Sequence, residues 1–241
     1  MNSVFNQTFI DFEYIILDGG SIDGSREYIQ QFADRVSYWI SEKDNGVYHA
    51  MNKGILKATG EYLIFLNSGD FFYSNDSIEN LIKESVEDII YGNILVETGE
   101  GNYLKTYPPQ LTFQYFLEDT LPHPATLIKA DLFKKLGLYN EDNKIVSDWE
   151  LFMNAVCLHS ASYRYINLTF TVFNFEGISS IPENQKNIKE EKDLILQRYY
   201  QAFLPDYKKA YEYKETLKKL ESLDKHKVRK RGFSSIILKK K

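Results

Sequence analysis

Three short apolar runs, EYIILD (13–18), VSYWIS (36–41) and EYLIFL (61–66), constrain this chain more than any other feature. Each has strand length and is bounded by turn residues. EYIILD is closed by Gly19-Gly20, and EYLIFL runs directly into the polar corner Asn67-Ser68-Gly69-Asp70. Helical spacing fills the gaps between them. Asp23 opens GSREYIQQFADR, with Ile29, Phe32 and Ala33 on one side. The Asn45-Gly46 turn opens VYHAMNKGILKA, with apolar residues from Val47 through Met51 to Ile55. Strand, helix, strand, helix, strand with short connections predicts an α/β chain with a mostly parallel, Rossmann-like sheet sandwiched by helices. Ligands of such sheets bind beyond the carboxyl ends of strands, where Asp18 and the 67–70 corner both fall.

Further along, SIENLIKESV reads as a helix, DIIYGNILV as a strand and YLKTY as its hairpin partner. A helix from about Leu111, a strand near 125–128, the helix ADLFKKLG and a helix over 148–159 follow. SYRYINLTFTVFNF reads as one or two strands, and from about Glu183 the sequence is helical and strongly polar.

With 43% hydrophobic and 26% charged residues among 241, the composition excludes disorder and collagen, and one cysteine excludes a disulfide scaffold. Cys157 reads as a small buried residue, and a reducing compartment, the cytoplasm, is expected. No apolar run approaches the roughly 20 residues of a spanning helix, and MNSVFNQTFI lacks the basic flank and apolar stretch of a signal peptide. The net charge of −5 hides an asymmetry: eight Lys/Arg and no acidic residue lie from Lys225 onward, against 21 basic and 34 acidic residues before it. A tail of +8 carrying Phe233, Ile236, Ile237 and Leu238 suits an anionic membrane surface, and peripheral attachment at the inner face of the plasma membrane is expected; a frayed, solvated tail is the alternative. Nucleic acid is not the expected partner. No GxxxxGK[ST] run, HExxH pair, Cys/His ligand spacing or GxSxG elbow is present, which removes P-loop, zincin, zinc-finger and Ser-hydrolase chemistry.

Five segments then occur in order: DGGSIDGS (18–25), WISEKDNGVYHAMNKG (39–54), ATGEYLIFLNSGD (58–70), HPATLIKADLFKKLGLYNE (123–141) and SDWEL (147–151). Over residues 2–176 the set resembles the family 2 glycosyltransferases of GT-A fold, bacterial enzymes that build capsule, O-antigen and exopolysaccharide repeats. The resemblance implies transfer of a sugar from a nucleotide diphosphate sugar to the hydroxyl of a saccharide or lipid-linked saccharide acceptor. It further implies inversion at the anomeric carbon and assistance from Mn²⁺ or Mg²⁺. It divides the chain into a donor-binding part (1–97), an acceptor-binding part (98–182) and a helical extension with a basic tail (183–241).

By the same resemblance, Asp18 contacts the nucleotide, Asp70 holds the metal and Asp148 is the catalytic base. Asp44, Asn45, Asn52, Lys53 and Asn67 are placed along the donor, and His123 and Trp149 on the acceptor side. Each has a plainer reading beside it. Asp18 forms a turn at a strand end, Asp70 caps one, and Lys53 is a solvated helix lysine. His123 is a structural residue between two prolines, and Trp149 is core. Ser147-x-x-Glu150 has the form of a capping box, with Asp148 favouring the helix N-terminus. The chain departs from the family at Asn67, where the metal motif usually has a first aspartate, and at His49, where relatives usually carry Asp. NSVFNQTF matches the later part of the family's first helix, so the usual first strand is expected to be missing. A non-catalytic subunit of a polysaccharide assembly complex is therefore the alternative to an active enzyme. A nucleotidyltransferase would need a Gly-rich, Arg-containing loop that is not seen.

Overall fold

The computed structural model describes residues 1–83, 86–175 and 177–230, with only the helical backbone described over 221–230. The basic tail beyond, including Phe233, Ile236, Ile237 and Leu238, lies outside the described residues. The first compact unit comprises residues Met1–Lys192, and the second begins at Asp193. Residues assigned to both the donor and the acceptor part share the first unit.

In chain order the first unit opens with helix α1 (Asn2–Phe5), strand β1 (Ile15–Asp18), α2 (Ser25–Gln30), β2 (Tyr38–Ser41) and α3 (Val47–Lys57). β3 (Tyr62–Leu63), β4 (Phe71–Phe72), α4 (Ser77–Ile82) and the hairpin β5 (Ile89–Thr98) and β6 (Gly101–Lys105) follow. Then come α5 (Phe113–Glu118), β7 (Thr126–Lys129), α6 (Ala130–Leu136), α7 (Ser147–Cys157) and β8 (Tyr163–Asn174). Helix α8 (Gln185–Tyr199) ends the unit at its Lys192, and α9 (Leu204–Lys230) belongs to the second unit, where the Tyr207 and Tyr211 rings lie 6.2 Å apart, one helical turn along. Among the described residues no helix is long and apolar enough to cross a membrane.

The α/β architecture follows the sequence pattern, but the strand pairing is mixed. β1 and β2 form a parallel pair, Ile15 opposite Tyr38 through Asp18 opposite Ser41. The second sheet runs β3-β7-β5-β8-β4, with β6 also on β5. Only β5 and β8 are parallel there. A two-residue connection between β5 and β6 permits nothing but antiparallel pairing, whereas parallel neighbours need a long crossover. EYLIFL is strand only at Tyr62 and Leu63, and the backbone of 64–66 makes no hydrogen bond among the described residues. SYRYINLTFTVFNF is one long strand, β8.

The core sits against β5, β7 and β8. Ile89, Ile90, Tyr91, Phe116, Phe152, Met153 and Phe170 are sealed from solvent. Gly92 is required there: a Cβ on it would stand 2.2 Å from the Phe170 ring and 2.9 Å from the Ile166 carbonyl oxygen. A smaller apolar cluster gathers Val4, Phe72 and Ile78, with Tyr14, Ile64 and Leu66 packed on it.

Candidate active site

The carboxyl ends of β1 and β2 bring Asp18 and Asp44 together. Asp18 Oδ2 accepts the Ser41 hydroxyl at 2.5 Å and the Ser21 amide at 3.0 Å. Burial works to raise its pKa, but these hydrogen bonds outweigh it and hold the carboxyl below its usual range. Gly19 lets the Asp44 carboxylate approach, since a Cβ would lie 2.7 Å from its Oδ2. Asp44 Oδ1 in turn accepts the Gly46 amide at 2.9 Å, shaping the turn into α3. His49, at the third position of α3, reaches back so that its Nδ1 accepts the Asn45 amide at 3.2 Å. This satisfies a donor that the helix start would otherwise leave without a partner, and gives the residue that departs from the family pattern a capping role.

The start of α3 meets the start of α7 through one phenol. The Tyr48 hydroxyl lies 2.8 Å from Asp148 Oδ1 and 2.6 Å from the Ile145 carbonyl oxygen, with its single proton shared between them. The Asp148 amide points back at the same oxygen at 3.5 Å. Asp148 is half-buried, and its Oδ2 has no hydrogen bond among the described residues. Ser147 is not the N-cap that the alternative reading as a capping box requires. Val146 is the N-cap, the Ser147 hydroxyl donates to the Asn140 carbonyl at 2.6 Å, and Glu150 accepts the Asn143 amide at 2.6 Å.

An aromatic floor lies beneath. His123 stacks on Phe65 at 5.0 Å, Tyr139 packs at 5.4 Å from Tyr48, and His123 Nε2 is 2.9 Å from the Tyr139 hydroxyl. Burial pushes the His123 imidazole pKa down, opposed by the Asp148 charge, so the ring favours its neutral form. Burial and then the same charge push the Tyr48 phenol well up. Tyr48 and Tyr139 escaped sequence reading because they blend into apolar helix and loop patterns; nothing local marks a tyrosine as the partner of a residue 100 positions away.

Asn52 is buried, and its amide is committed to the loop after α6. It donates to the Tyr139 carbonyl (2.9 Å) and Glu141 (2.8 Å) and accepts the Tyr139 amide (2.9 Å). Trp149 is 1% exposed, and its indole donates to the Phe116 carbonyl at 2.7 Å, as a core residue would. Lys53 pairs with Glu42 at 2.5 Å on the surface. A shallow cleft between α3 and the 141–144 loop is lined by Asn45, Tyr48, His49, Glu141, Asn143 and Lys144.

Asp70 occupies a separate corner. Its Oδ1 accepts the Asn174 amide at 3.1 Å, while Oδ2 is buried with no hydrogen-bond partner among the described residues. Burial pushes this carboxyl up to about 6, with the backbone of Asn174 and Asn67 pulling the other way. Asn67 beside it is exposed and neutral. Among the described residues no group of three His, Cys, Asp or Glu side chains could hold a metal ion. One unsatisfied carboxylate oxygen fits a hard cation that draws its remaining ligands from water and substrate phosphates, and does not fit an all-protein cage. No hydrogen bond joins Asp70 to Asp148 among the described residues; Phe65, which precedes the 67–70 turn, stacks on His123.

Residues 1–137 match the family described as glycosyl transferase family 2. A PGL/p-HBAD biosynthesis glycosyltransferase of Mycobacterium bovis is 25% identical over 197 residues, covering 78% of this chain and 76% of that protein. An uncharacterized glycosyltransferase of Mycobacterium tuberculosis is 32% identical over 149 residues, 59% of this chain and 56% of that one. Among solved structures, S. aureus TarS 1–349 matches with a TM-score of 0.60 at 18% identity, over 80% of this chain and 58% of TarS. Its complex with UDP-GlcNAc matches with a TM-score of 0.57 at 17% identity, over 72% of this chain and 53% of that one. The chain spans little more than half the length of these structures, and the likeness establishes a fold of the GT-A type.

Proposed function

Because the chain belongs to glycosyl transferase family 2, we propose that it moves a sugar from a nucleotide diphosphate sugar to an acceptor hydroxyl with inversion, using Asp148 as general base. The observation that carries this is the Asp148 carboxylate itself. Tyr48 holds one oxygen, and the other, at the start of a helix, has no hydrogen bond among the described residues. In the reaction the acceptor O–H proton passes to Asp148 as its oxygen attacks the anomeric carbon. The bond from that carbon to the diphosphate breaks, and the nucleoside diphosphate leaves with the electron pair. Asp18 and Asp44 form the nucleotide end, with Asn45 beside the cleft. TarS binds UDP and UDP-GlcNAc, which supports a uridine diphosphate sugar as the first donor to try. Asp70 would hold Mn²⁺ or Mg²⁺ through Oδ2. When bound, such a cation supplies charge neutralisation to the departing diphosphate. The acceptor is a saccharide or lipid-linked saccharide of bacterial surface polysaccharide synthesis, met at the cytoplasmic face of the membrane, with the basic tail attracted to anionic lipid.

The test is transfer from a panel of UDP-, GDP- and dTDP-sugars with Mn²⁺ to saccharide acceptors, comparing the native protein with Asp148→Asn. The variant should lose about 10²- to 10⁴-fold in kcat and still bind UDP. Equal turnover by both proteins would remove Asp148 from the chemistry. UDP binding without transfer by the native protein would favour the non-catalytic subunit.

A further inference from the structure

Helix α8 sends one carboxylate to the segment that leads into α7. The Lys144 amide donates to Glu191 Oε1 at 2.8 Å, and the Ile145 and Val146 amides donate to Oε2 at 3.1 and 3.2 Å. Three consecutive backbone amides converging on one carboxylate form an anion-binding concavity filled by the chain's own side chain. Hydrogen bonds to a charged acceptor are also stronger than those between neutral groups. The clasped segment is not remote from the chemistry. The Ile145 carbonyl is the second acceptor of the Tyr48 hydroxyl, whose first is Asp148. Beyond Asp148, the next residue of α8 makes contact too: Lys192 lays its ammonium 4.8 Å from the Trp149 ring centre. One turn of α8 therefore touches the chain immediately before Asp148 and immediately after it. Glu191 lies outside the 1–137 family match, in a stretch whose sequence shows only a polar helix.

We propose that Glu191 is a positioning residue for Asp148: its carboxylate fixes the 144–146 backbone, which sets the Ile145 carbonyl, the Tyr48 hydroxyl and through it the Asp148 carboxylate. This rests on the reading of Asp148 as the base. A displacement of about 1 Å at a reacting group costs on the order of 10²-fold in rate, so a clasp of this kind acts on turnover rather than on donor binding.

The experiment compares Glu191→Ala, Glu191→Gln, Tyr48→Phe and the Glu191→Ala/Tyr48→Phe double variant in the full chain, each checked for native circular dichroism. Glu191→Ala should lower kcat about 10- to 100-fold with the donor KM within about twofold, and Glu191→Gln, which keeps one acceptor oxygen, should fall between it and the native protein. In the Tyr48→Phe background, Glu191→Ala should cost no more than about a further twofold, because the path is already cut. Hydrogen exchange read by mass spectrometry should show the 144–146 amides opening at least about tenfold faster in Glu191→Ala. Unchanged kcat, a rise in KM alone, losses that multiply fully in the double variant, or unchanged exchange would each overturn the proposal. If the native protein transfers no sugar, the base assignment fails by itself, and exchange at 144–146 alone then decides whether Glu191 orders that segment. Glu191→Gln serves for both readouts should the alanine variant not fold.

Discussion

The two sheets of the first unit differ in how completely they are closed. In β5 the six residues from Ile89 to Ile94 are buried without interruption, whereas every residue of β1 and β2 is only half-buried. β5 has strands on both sides, whereas among the described residues β1 pairs with β2 alone. The candidate groups divide along the same line. Asp18 and Asp44 stand on the half-buried side, while Asp148 rises from a helix that seals Trp149, Phe152 and Met153 into the core. Under the proposed function, the well-packed helix would hold the proton acceptor in place while the half-buried strands would be free to adjust around a ligand.

The largest expected effect lies in the packed sheet. Gly92→Ala would drive a methyl into Phe170 and should cost about 3 kcal/mol in urea denaturation, while Leu17→Ala in half-buried β1 should cost about 1 kcal/mol. Equal losses would erase the contrast between the sheets.

Asp70 offers the next test, read as a pH profile. Its folded carboxyl titrates at about 6 against 3.8 for an unperturbed aspartate, so between those values the native state keeps a proton that the unfolded chain has released. The contribution of Asp70 to stability is therefore fully present below about pH 4 and is lost as pH rises through 6. Asp70→Asn should abolish that slope, and the stability difference between variant and native protein should grow by up to about 3 kcal/mol from pH 4 to 7.5, measured without divalent cation. A flat difference would show that Oδ2 is better solvated than its burial suggests.

At the small end, Lys53→Ala should change stability by less than about 0.5 kcal/mol, because the Glu42 pair is half exposed, and should leave the UDP affinity within about twofold. A tenfold loss of UDP binding would make Lys53 a phosphate ligand and draw α3 into the nucleotide platform.

How much of this was legible in the sequence depends on the range of the interaction. Most strand and helix positions followed from local periodicity; strand ends pointed to Asp18 and the 67–70 corner, while Asp44, which the structure sets beside Gly19 at the end of β1, came from the family resemblance alone. Pairing directions did not follow, because the reversal at β7 is decided by where a strand finds room in the sheet. EYLIFL has a strand's composition throughout, yet among the described residues its last three find no strand to pair with. Ser147-x-x-Glu150 has a capping sequence, but Asn140 and Asn143 offer these side chains closer partners. The amide of Asn52, the phenol of Tyr48 and the carboxylate of Glu191 all act across 45 to 100 residues. No local pattern distinguishes such residues from their neighbours.

The shared proton of Tyr48 has one more consequence. A phenol has a single hydrogen to give, and here two oxygens stand ready for it. While Asp148 is an anion, it is the stronger claimant; once it has taken a hydrogen from substrate its claim weakens, and the phenol can turn to Ile145 with hardly any movement. In a turnover of the proposed kind, the same residue would thus steady the carboxylate before the step and release it afterwards, with its own hydrogen never left without an acceptor.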